Sequence, residues 1–84
     1  MGLTPERNFL QKLGQFGHDL RQPLNVAGLA VGNIRRRTLP VLSGAEQEYL
    51  SVKLDRIEEQ LERARTILDA IDPVLEEYRR DNEG

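Results

Sequence analysis

Between Leu50 and Leu75 one apolar series runs Leu50, Leu54, Ile57, Leu61, Ala64, Leu68, Ile71 and Leu75, and its spacings alternate between four and three. That alternation is a heptad seam. It draws one apolar stripe along a helix and fits no strand. A helix marked in this way must bury its stripe against another helix.

The first half of the chain supplies a second stripe. Phe9, Leu13, Phe16, Leu20, Leu24, Ala27, Val31 and Ile34 follow one helical period straight across Pro23. Thr4-Pro5-Glu6 reads as the start of this helix, with Thr4 as N-cap, Pro5 at the first helical position and Glu6 at the positive end of the dipole. Arg35-Arg36-Arg37 suits its negative end. Pro40 disfavours helix at Leu39, and Ser43 with Glu46 makes a capping box for the second helix.

The pattern predicts an all-α hairpin over residues 5–78, with helix 1 at about 5–37, a connector at 38–44 and helix 2 at about 45–72. Pro73 is expected to kink or end helix 2, and residues 79–84 to form a frayed tail. A short connector makes the helices antiparallel neighbours. Two helices cannot cover both stripes. We therefore expect two hairpins to pair as a homodimeric four-helix bundle, although docking onto a neighbouring domain would bury the same residues.

With 84 residues the chain forms one small domain. It has no cysteine, which removes disulfides and thiolate-bound metal and leads us to expect a cytoplasmic setting. A net charge of −2 argues against general nucleic-acid binding, and no apolar run reaches membrane-spanning length.

His18 is the only histidine. It is two residues from Phe16 and two from Leu20, and at about 100° per residue it faces away from that stripe. A core histidine would sit on the stripe, so the bland reading is a plain surface histidine. Its neighbours weigh against that reading. Pro23 leaves the Asp19 carbonyl without its helical donor, so the weakened turn is centred beside His18. Gly14 and Gly17 soften the helix just upstream, and Gly17 leaves bare backbone for another domain to approach. Gly28 and Gly32 suit close helix packing. A neutral imidazole is a good nucleophile near neutral pH, and an adjoining carboxylate such as Asp19 can take the proton from its other nitrogen.

The stretch Phe16-Gly17-His18-Asp19-Leu20-Arg21-Gln22-Pro23-Leu24 closely resembles the H-box of bacterial sensor histidine kinases: a phosphoacceptor His, then Glu or Asp, Leu, Arg, a polar residue, Pro and Leu. The second helix, with Glu59-Gln60-Leu61-Glu62-Arg63-Ala64, is similar to the second helix of the same domain. The resemblance covers roughly residues 6 to 75. It implies a dimerisation and histidine phosphotransfer domain of a two-component system. His18 would receive the γ-phosphoryl group of ATP, Asp19 would act as base and Arg21 would support the site. The phosphoryl group would pass to an Asp of a response-regulator receiver domain. Where many members carry Thr or Asn to orient water, this chain has Gln22.

The separate ATP-binding domain of such kinases has no counterpart here, so ATP and Mg²⁺ are expected on another domain, and this chain alone should not autophosphorylate. The abrupt start at Met1-Gly2 leads to the expectation of a piece excised from a longer kinase, which is free to be membrane-anchored elsewhere. A receiver is expected to dock below the histidine, around Val26, Ala30, Asn33, Gln47 and Leu50. Two other readings compete. One is a non-catalytic dimerisation scaffold. The other, prompted by Arg35-Arg36-Arg37, is a DNA-binding helical dimer; the acidic balance and the lack of a short recognition element count against it.

Overall fold

The computed structural model describes residues 5–83, with side-chain surroundings for residues 8–81. Helix α1 spans Pro5–Arg37, a 3₁₀ turn spans Leu39–Val41, and helix α2 spans Gly44–Glu83. The two helices form a rod of 66 × 16 × 14 Å. Thr4, the expected N-cap, lies outside the described residues.

Both prolines are accommodated inside continuous helix. Of the two outcomes expected at Pro73, a kink or an end, the end at residue 72 does not occur, and helix continues to Glu83 in place of the frayed tail expected from 79. The physical reason is that a proline removes one backbone donor and crowds one carbonyl. The stripe continues past it through half-buried Leu75, and Arg79 pairs with Glu76 at 3.4 Å across one further turn.

The bend is closed differently from the expected capping box. Ser43 and Glu46 make no hydrogen bond to the described residues. Gly44 instead adopts φ +61°, a conformation an L side chain strains to reach. Gln47 then donates from Nε2 to the Leu39 carbonyl at 3.1 Å, tying α2 to the turn.

Four sets of contacts fix the antiparallel register. A side chain on Gly17 would meet Leu68 Cδ2 at 4.0 Å. Arg21 reaches Asp69 and Asp72. Arg65 donates to the Leu24 carbonyl at 3.4 Å. Arg35 reaches Asp55 and Glu58. The buried apolar residues among those described are Val31, Leu54 and Leu68, and Leu54 is the deepest at 2% exposed.

Each stripe is split lengthwise. On α2, Leu54, Leu61, Leu68 and Leu75 recur every seven residues and turn toward α1, while Ile57 and Ile71 between them stay exposed. On α1, Leu13, Leu24 and Val31 turn inward, whereas Phe9, Phe16 and Leu20 are more than half exposed. The chain presents 6827 Å² to solvent, against about 5,100 Å² for a compact monomer of its mass.

Truncating the deepest residue tests this thin core. Leu54→Ala should lower unfolding free energy by about 2–5 kcal/mol in urea titration, whereas Val41→Ala, at an exposed site in the bend, should cost less than about 0.5 kcal/mol.

Candidate functional site

His18 is exposed on α1 and makes no hydrogen bond or ion pair with any described residue. The α1 residues that face α2 include Gly17, Leu24 and Val31. At about 100° per residue His18 lies on one flank of that contact face, and Phe16 and Leu20 lie on the opposite flank. Gly17 faces Leu68 rather than offering bare backbone to solvent, which corrects the expectation for that residue.

Asp19 is exposed and accepts a hydrogen bond from Gln15 Nε2 at 2.9 Å, one turn upstream. Gln15 therefore holds one carboxylate oxygen of Asp19. Gln22 is exposed and unpartnered among the described residues. Pro23, also exposed, ends the weakened turn that begins at Asp19.

Arg21 leaves the exposed surface to cross to α2. It donates from Nη2 to Asp69 Oδ1 at 3.2 Å and to Asp72 Oδ2 at 2.9 Å. Two heptads further along, Arg35 repeats this arrangement with Asp55 and Glu58. These contacts push the Arg35 guanidinium pKa up, through its hydrogen bond to Glu58 first and that to Asp55 next. Midway between the two forks the polarity of the strap reverses. Gly28 takes the equivalent place on α1, and Arg65 reaches over it from α2 to the Leu24 carbonyl. A Cβ on Gly28 would sit 2.8 Å from Arg65 Nη2, so the missing side chain makes room for the strap.

The five residues expected to meet a receiver are not gathered by one hairpin. Val26, Ala30 and Asn33 are exposed on the side of α1 turned from α2, and Asn33 accepts a hydrogen bond from Arg36 at 2.6 Å. Gln47 is engaged with the Leu39 carbonyl, and Leu50 is half-buried. Between the helices runs a groove lined by Asn25, Leu29, Val52, Asp55, Glu59 and Glu62, on the His18 flank.

Sequence reasoning missed Gln15, Asp69 and Asp72. Gln15 carries a signal, since it stands four residues before Asp19 and can bond along the helix. The two aspartates are 48 and 51 residues from Arg21, and no local pattern pairs them. Among the described residues no group of three or more His, Cys, Asp or Glu could hold a metal ion, and no helix is long and apolar enough to cross a membrane.

The Arg21 fork makes a checkable contribution. Arg21→Ala should lower stability by about 0.5–1.5 kcal/mol at low salt and by clearly less at about 1 M salt, as expected of exposed ion pairs. Equilibrium unfolding at the two ionic strengths reads both numbers.

Compared with known proteins, the chain matches no family model, no curated protein and no solved structure.

Proposed function

We propose that this chain is the phosphoacceptor and dimerisation module of a two-component sensor histidine kinase. One observation carries the reading: the His-Asp-Leu-Arg-Gln-Pro-Leu motif lies on the first helix of an antiparallel hairpin, with its imidazole exposed and without a partner among the described residues. A histidine with a structural role would be buried or hydrogen-bonded.

In this reading a ring nitrogen of His18 attacks the γ-phosphorus of ATP held by a separate domain. The N–P bond forms, the P–O bond to the β-phosphate breaks, and ADP leaves with that electron pair. The other ring nitrogen loses its proton to Asp19. With Gln15 on Oδ1, the second carboxylate oxygen is the one left for the proton. A carboxylate oxygen of a receiver domain then attacks the phosphorus, the N–P bond breaks with its electron pair left on the ring nitrogen, and Asp19 returns its proton to the other ring nitrogen to restore a neutral imidazole. The Arg21 fork holds the turn that carries these groups against α2. Exposed Gln22 is one turn from His18, where an amide can orient water.

The split stripe supports the dimer. Phe16 at 58% and Leu20 at 53% exposure, with Ile57 and Ile71 on α2, form an apolar flank opposite His18. A second hairpin packed there completes a four-helix bundle and leaves the imidazole open. The surplus of roughly 1,700 Å² over a compact monomer is of the size an obligate interface removes. The same flank would serve a non-catalytic scaffold, and the role of His18 separates the two readings.

With Mg-ATP and an active ATP-binding domain of a histidine kinase supplied in trans, the folded chain should take up one acid-labile phosphoryl group by intact mass. His18→Ala should take up none, and Asp19→Asn should slow uptake by roughly 10²-fold. Absence of label on the folded wild-type chain would establish the scaffold instead. For the dimer, Leu20→Asp combined with Ile71→Asp should yield monomers or unfolded chain in sedimentation velocity, while Val26→Asp on the outer side should leave self-association intact.

A further inference from the structure

The register places the two proline-weakened turns at the same level of the rod. On α1 the turn Asp19–Pro23 lacks the donor for the Asp19 carbonyl, and on α2 the turn Asp69–Pro73 lacks the donor for the Asp69 carbonyl. Gly17 stands against Leu68, and Arg21 against Asp69 and Asp72, so the two turns overlap along the axis. A helix with one broken turn, packed on an intact helix, is splinted by its neighbour. Here neither helix can splint the other at that level.

We infer that residues 17–23 of α1 and 69–73 of α2 form one coupled hinge across the hairpin, latched by Arg21. The guanidinium arises within the weakened turn of α1 and grips the two aspartates of the weakened turn of α2, at 3.2 and 2.9 Å. Bending either helix there pulls on the fork and so loads the other helix. The Arg35 fork has the same design but joins unbroken turns, with no proline in α1 beyond Pro23 or in α2 before Pro73. It is a brace at a stiff level, and it supplies an internal control. The hinge divides the rod into an open end, residues 5–16 with 74–83, and a closed end that contains the bend. His18 stands at the boundary, exposed, so opening the latch re-aims the imidazole relative to the closed end. This last consequence rests on the phosphoacceptor reading; the hinge itself does not.

Amide hydrogen exchange on the full chain tests the coupling. Arg21→Gln should speed exchange about three- to tenfold in both residues 14–22 and residues 68–76, and leave residues 45–56 unchanged. Arg35→Gln should perturb only its own level. Pro73→Ala restores the donor on α2, and it should slow exchange severalfold at residues 17–21 of α1 as well as on α2. Protection gained on α2 alone, or an Arg21→Gln effect confined to α1, would overturn the hinge. Pro73→Ala adds helix propensity, so this arm holds even where loss of the latch unfolds the chain. No phosphoryl chemistry is read, so a negative result strikes the hinge and leaves the assignment of His18 standing.

Discussion

Each helix carries more apolar surface than one partner can cover, and the rest of the structure follows from that mismatch. A heptad stripe has two edges. In α2 the residues at Leu54, Leu61, Leu68 and Leu75 take the α1 contact, which turns Ile57 and Ile71 outward. Helix α1 answers with Leu13, Gly17, Leu24 and Val31 inward and with Phe16 and Leu20 outward. Once those faces are assigned, the two flanks of the hairpin differ in kind. One is apolar. The other holds the arginine straps, the carboxylate-lined groove and His18.

The straps are better understood as register devices than as sources of energy. Exposed ion pairs contribute about 0.2–1 kcal/mol each. Three straps, one per heptad, nonetheless favour the observed alignment: the ion-pair forks of Arg21 and Arg35 and, between them, the hydrogen bond of Arg65 to the Leu24 carbonyl. The reversal at the middle layer adds to this. At that layer Gly28 leaves space for the Arg65 guanidinium.

Much of this was legible in the chain. The helical period, the ends of α1 and the place of the bend follow from Phe9 to Ile34, Pro5, Arg35-Arg36-Arg37 and Pro40. Periodicity could say that Phe16 and Leu13 share a stripe, but not which would meet α2, because that depends on the partner helix. Pro73 reads as a stop when only local cost is counted, and it is passed because one lost bond is small beside the stripe that continues through Leu75. Gly44 rather than Ser43 shapes the bend, since a positive φ outweighs a side-chain cap there. For the site, His18 and its exposure were readable from its angle to Phe16 and Leu20. The tether of Arg21 to Asp69 and Asp72 was not, because contacts 48 and 51 residues apart leave no trace in local spacing.

The Leu39–Val41 turn closes one end of the rod and leaves the other open. In a rod two helices thick, each layer touches only the layers above and below, so stability accumulates by nearest neighbours as it does in repeat proteins. A layer beside the bend is held by the covalent turn as well as by its side chains, whereas a layer at the level of His18 and the Arg21 fork is held to its partner helix by side-chain contacts alone.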